Sequence, residues 1–118
     1  MHELSVATAV LNTAVKHAED RPVAVVAMRV GTLRQVVPDS LRFYWDIVAR
    51  DTVCEGARLE LREIATRLRC TDCAAEWEPE IPHFRCPACE SAAVTVVAGE
   101  ELEVEHLELK GSEEAAHA

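Results

Sequence analysis

The sequence predicts an α/β (α+β) protein in which two helices pack on a small mixed three-stranded sheet and a zinc-ribbon-like four-cysteine module is inserted in the domain. Three observations carry this. Two stretches place apolar residues at helical spacing, three others read as strands, and two cysteine pairs fall between the second and third strands. The order helix, strand, helix, strand, cysteine segment, strand makes residues 1–66 plus 98–111 a discontinuous α/β domain. Residues 67–97 then form the inserted module, and residues 112–118 a flexible tail.

Each element has its own signal. Over residues 4–19 the positions Leu4, Ala7, Leu11, Ala14, Val15 and Ala18 form one apolar stripe, and Asp20-Arg21-Pro22 stops the helix. The valine-rich run from Val23 to Val30 predicts a buried strand ending at Gly31. Pro38-Asp39-Ser40 predicts the second helix, with Asp39 or Ser40 as its cap and Leu41, Tyr44, Trp45 and Val48 as its stripe. Ala57, Leu59 and Leu61 alternate with Arg58, Glu60 and Arg62, which predicts a strand with one face on a core. In the last strand Leu102 and Val104 are out of phase with Leu107 and Leu109, so a bulge is expected near Glu105-His106.

The pairs Cys70-x2-Cys73 and Cys86-Pro-x-Cys89, twelve residues apart, have the spacing of a tetrahedral four-thiolate metal site. Zinc is the default ion, and iron in a rubredoxin-like site uses similar pairs. Four thiolates leave no position for a substrate, so such a site is structural. The segment has few large apolar residues, and a metal staple would supply its folding free energy. Cys54 stands apart and reads as a small buried hydrophobe.

The 118 residues carry a net charge of −9, with Glu100, Glu101, Glu103, Glu105 and Glu108 close together. Nucleic acid is a poor partner for such a chain, because phosphate neutralisation needs clustered Lys and Arg. No apolar run is long enough for a membrane span and no leader is evident, so a cytoplasmic protein with reduced cysteines is expected. Phosphate loops, nucleophile elbows and paired carboxylates are lacking, which argues against an enzyme.

At the other end, His2 has the amine of Met1, its own amide, and the amide and carboxylate of Glu3 as neighbours. Initiator methionine is removed before small residues, so Met1 is expected to remain ahead of His2. Amine, deprotonated amide and imidazole can form fused chelate rings in a planar nitrogen-rich shell that suits Ni(II) or Cu(II). A terminal histidine is more often only solvated. His17 and His117 read as surface residues, His83 as a solvated loop residue, and His106 as a packed or rim residue of the last strand.

The start Met-His-Glu-Leu-Ser leading into an apolar helix, together with Cys70-Thr-Asp-Cys73 and Cys86-Pro-Ala-Cys89, resembles the HypA/HybF family of nickel metallochaperones. Further matching segments are Arg29-Val30-Gly31, the start of the second helix from Pro38 to Phe43, and Gly99 to Val104; the likeness covers residues 1–109. It implies delivery of Ni(II) to the apo-[NiFe]-hydrogenase large subunit with a HypB-type GTPase, and in some organisms a contribution to urease maturation. It also implies that His2 is the nickel ligand, with the Met1 amine and Glu3 as weaker candidates, and that Cys70, Cys73, Cys86 and Cys89 hold structural zinc. The competing reading is a zinc-ribbon adaptor that carries no nickel.

Overall fold

The computed structural model describes residues 2–79 and 84–111 and the backbone of residues 115–117. Helix α1 spans Glu3–Ala18 and ends at Glu19, which turns into the left-handed region. Strand β1, Val23–Gly31, leads through a 3-10 turn at Thr32–Arg34 to helix α2, Pro38–Val48, and β2 follows at Arg58–Ile64. After β3 (Arg67–Cys70), β4 (Glu76–Trp77) and β5 (Val94–Ala98), the chain returns as β6 (Leu102–Leu109). A short strand, β7 (Ala115–His117), closes the order.

The described strands form two sheets. One has the order β2-β1-β6-β7 and the other β4-β3-β5. In the first, β1 pairs in parallel with β2 and antiparallel with β6, so the sheet is mixed. The parallel pair needs a crossover, and α2 supplies it. The expected three strands are present, and β7 is added as a fourth by pairing antiparallel with β6. Backbone pairing of residues 115–117 to the edge of β6 satisfies groups that an open edge leaves unpaired.

Both helices lie over one face of this sheet. Val6, Ala7, Val10 and Ala14 of α1 and Leu41 and Trp45 of α2 share a core with Val26, Met28, Leu59 and Leu107. The stripe on α1 is rotated from the expected one, because Val6 and Val10 are buried while Leu4 and Val15 are exposed. All are aliphatic, and only the position of the sheet and α2 decides which of them face inward. Trp45 is fully buried and its Nε1 donates to Ala57 O at 2.9 Å, which satisfies the one polar atom such a ring brings into a core. At the start of α2 the N-cap is Val37, with no side-chain cap, and Pro38 holds the first turn. Asp39 and Ser40 lie inside the helix: proline fixed one residue earlier already presets φ for its first turn.

The register of β1 and β6 shifts between Ala27↔His106 and Met28↔Val104, leaving Glu105 as the extra residue at the expected place. The bulge returns Leu107 and Leu109 to the core face and turns His106 and Glu108 to the helix-free face.

The cysteine segment leaves the first sheet after β2 and returns before β6, so both passages must clear the end of β1. They do so at two glycines. A Cβ on Gly31 would lie 2.0 Å from the Gly99 carbonyl oxygen, and one on Gly99, where φ is +117°, would lie 2.8 Å from the Thr66 backbone. The crossing is sealed by Gly31 N to Glu101 O (2.7 Å), Leu33 N to Gly99 O (2.9 Å) and the Thr32 and Thr66 hydroxyls (2.6 Å apart). The Glu101 carboxylate accepts from the Gly99 amide at 2.8 Å. Its own amide, that of Gly99 and the charge of Arg29 hold its pKa below the usual carboxylate value against a smaller opposing effect of burial.

Gly31→Ala forces backbone apart at this crossing, and a loss of about 3 kcal/mol or more is expected from denaturant unfolding monitored at Trp45. Gly56→Ala, at a turn with open space around it, serves as the comparison.

Candidate metal centres

The two cysteine pairs sit on matching knuckles. In the first, Cys70 N donates to Ala75 O and Ala74 N to Cys70 O; in the second, Cys86 N donates to Ser91 O and Glu90 N to Cys86 O. Both turns close through a residue with φ of 63°, Ala74 in one and Glu90 in the other. That left-handed step swings each chain back so that both sulfurs of its pair point to one side. The halves are tied together by Thr71 N and Oγ1, both donating to Ala93 O at 2.8 Å, and by the Ser91 hydroxyl on the Asp72 carboxylate.

The four sulfurs lie within 4.8 Å of one another. Cys70 and Cys89 are 3.6 Å apart and Cys73 and Cys86 3.5 Å, so each close contact joins one knuckle to the other. Sulfurs about 2.3 Å from a central ion in a tetrahedron stand roughly 3.8 Å apart, and the observed spacing fits that shell. The site fits zinc. With all four positions taken by sulfur, it fits a structural role.

The thiol chemistry agrees. Burial opposes ionisation of Cys86, but the Cys89 and Ala88 amides and the Cys73 and Cys89 thiols outweigh it and bring its pKa down to about 7. For Cys89 the Ser91 amide favours the thiolate, but the Cys70 thiol, burial and the other two thiols prevail and push it up to about 12. Cys73 is also raised: the Ala75 amide lowers it, and Cys86, burial and Cys70 together raise it by more. One thiolate forms readily and further negative charge is resisted until a cation shares it.

Packing shows why an ion held there would matter. Among the described residues of 67–97 only Leu68, Cys70 and Cys86 are buried. One Leu contributes about 2–3 kcal/mol, whereas ordering each residue costs about 1–2 kcal/mol of backbone entropy. A structural ion in such a site supplies on the order of 10 kcal/mol.

His2 is exposed and stands at the N-cap of α1, its carbonyl accepting from Val6 N at 3.1 Å. The Glu3 carboxylate reaches toward the start of α2, where Val37 N donates to Oε2 at 3.5 Å. The first residues are thus anchored by a helix and leave the imidazole in water. His2 lies at the opposite end of the sequence from the cysteines and shares no described contact with them. Met1, His83 and the three residues before His83 lie outside the described residues. His17 is exposed. Cys54 is fully buried in the α/β core, where burial pushes its thiol up, as fits a small apolar residue. The sequence reading missed the left-handed positions at Ala74 and Glu90 and the Asp72–Ser91 tie. The repeated C-x2-C spacing was their only signal.

Fold and site together define a two-helix α/β domain that carries a four-cysteine cluster spaced to hold a metal ion. The family model described as "Hydrogenase/urease nickel incorporation, metallochaperone, hypA" matches residues 1–109, and the chain belongs to this family. It is a family of metallochaperones and not of enzymes. Relatives named hydrogenase maturation factor HypA include that of Geotalea uraniireducens, 38% identical over 110 residues, spanning 93% of this chain and all of the relative. That of Streptomyces avermitilis is 40% identical over 109 residues, covering 88% of this chain and 83% of its own. The solution structure of the nickel metallochaperone HypA from Helicobacter pylori superposes with a TM-score of 0.70 at 23% identity, over 92% of this chain and 97% of that one, which establishes the likeness of fold. Among the described residues no helix is long and apolar enough to cross a membrane.

Zinc binding to this site displaces thiol protons, and each retained proton costs about tenfold in apparent affinity per pH unit. Chelator competition should show the affinity falling steadily from pH 8 and more steeply below about 7, where Cys86 is also protonated. Cys70→Ser should release the ion and open the module to proteolysis, while Trp45 keeps its buried fluorescence.

Proposed function

We propose that the chain is a nickel metallochaperone that takes Ni(II) at His2 and delivers it during maturation of [NiFe]-hydrogenase, while Cys70, Cys73, Cys86 and Cys89 retain a structural zinc. Membership of the family over residues 1–109, with His2 exposed at the head of α1, carries this reading. The imidazole supplies one nitrogen. The amine of Met1 and the amides of the Met1-His2-Glu3 segment supply the others in a planar shell that Ni(II) favours. Glu3 contributes through its amide, since its carboxylate is engaged toward Val37.

The two sites suit opposite roles. A closed four-sulfur cage retains its ion, whereas a solvent-facing site with few side-chain ligands can pass its ion to an acceptor. The acceptor is the apo-[NiFe]-hydrogenase large subunit, with a HypB-type GTPase as the partner in loading; supply to urease maturation proteins is the same chemistry with a different client. A zinc-ribbon adaptor without nickel transfer is the second reading, supported by the exposed apolar surface of Phe84, Val96 and Val97 on the module.

His2→Ala is expected to remove the tight nickel site while zinc content and unfolding temperature stay unchanged. Calorimetric titration of zinc-loaded protein checks this and should show nickel affinity falling at least tenfold between pH 7.5 and 6, because protons compete for amine and imidazole. Zinc loss in the variant, or nickel binding equal to the parent's, contradicts the assignment and favours the adaptor.

A further inference from the structure

On the helix side of the sheet the parallel pair β1 and β2 forms three rungs: Val26 beside Leu59, Met28 beside Leu61, and Val30 beside Glu63. The first two rungs are apolar and belong to the core or pack against it. The third sets a carboxylate on the same side, one step beyond the last leucine. It lines a cleft of about 260 Å³ at the carboxyl ends of β1 and β2, where the chain leaves β1 through the 3-10 turn and enters α2. A crossover between parallel strands leaves a crevice outside the strand ends, and in α/β folds that crevice is where ligands are held.

The walls of the cleft have two kinds of chemistry. Val30, Val36 and Leu61 make an apolar floor continuous with the core. Arg42 of α2 and Glu63 of β2 supply opposite charges, yet neither takes part in an ion pair among the described residues. Arg42 is held in place by its Nε, which donates to Leu59 O at 3.3 Å, and its two terminal nitrogens remain for a carboxylate in a bidentate, charge-assisted contact. Two opposite charges that line one cleft without bonding to each other match a molecule that itself carries both signs. Size narrows the class further, since drug-sized ligands occupy roughly 300–1,000 Å³ and this cleft is smaller.

We propose that the cleft binds a small zwitterion, an α-amino acid with an apolar side chain. Its carboxylate lies on Arg42, its ammonium group on Glu63, and its side chain against Val30, Val36 and Leu61. The site uses none of the residues assigned to nickel or zinc above and stands apart from that reading.

The test titrates full-length, zinc-loaded chain with L-leucine and follows the methyl resonances of Val30, Val36 and Leu61 by NMR. Saturable shifts at these methyls are expected at millimolar leucine. L-Leucine amide, which lacks the negative charge, and N-acetyl-L-leucine, which lacks the positive one, should each bind about tenfold more weakly, the loss of one charge-assisted contact. Glu63→Gln should weaken leucine about tenfold and leave N-acetyl-L-leucine unchanged, and Arg42→Gln should weaken leucine and leave the amide unchanged. No shift at millimolar leucine, or blocked forms that bind as tightly as leucine itself, overturns the proposal. Arg42 also bonds the backbone of β2, so Glu63→Gln, at an exposed position, keeps the test decisive should Arg42→Gln disturb the fold.

Discussion

The chain crosses itself at Gly31 and Gly99, and the placement of everything else depends on that contact. Strand β1 is central, with β2 on one side and β6 on the other, and the cysteine module occupies the sequence between those two flanking strands. To pass from one side of β1 to the other the chain must go around its end. Backbone can lie this close only where no Cβ intervenes. The hydrogen bonds through Thr32, Thr66, Leu33 and Glu101 then orient the module by main chain and short side chains.

The α/β domain and the module are stabilised by different physics. The domain buries aliphatic side chains and Trp45 between two helices and one face of its sheet. Its other face is laced with ion pairs such as Arg29–Glu103 and Arg62–Glu105, which are solvent-exposed and contribute little to stability. The module has almost no core and relies on four sulfurs already spaced for an ion. In the proposed reading the two ions are kept apart by function. The one that stays lies inside a closed cage, and the one that leaves lies on an exposed histidine held in place by the first turn of α1.

Much of this was legible in the sequence. Helical spacing gave α1 and α2, the valine run gave β1, and the phase change from Val104 to Leu107 located the bulge. The cysteine spacing gave the metal cluster. What remained hidden depends on tertiary context. The buried side of α1 could not be read from a helix whose Leu4, Val6, Val10 and Val15 are equally apolar. The short strands β3, β4 and β5 had no periodicity to show, and β7 exists through pairing to the neighbouring strand β6, which Ala115 and Ala116 do not announce. Nor did Ala74 and Glu90 announce the left-handed turns of the knuckles, where glycine would have been the usual signal.

In the proposed reading one tight metal site is closed and made of thiolates, while the other depends on the nitrogen atoms at the very start of the chain. It is tested most directly by measuring bound zinc and tightly bound nickel on protein that begins at Met1 and on protein with one extra residue ahead of Met1, which turns the amine into an amide. One zinc per chain is expected in both, and loss of tight nickel from the extended form alone. Equal tight nickel in the two forms would contradict it.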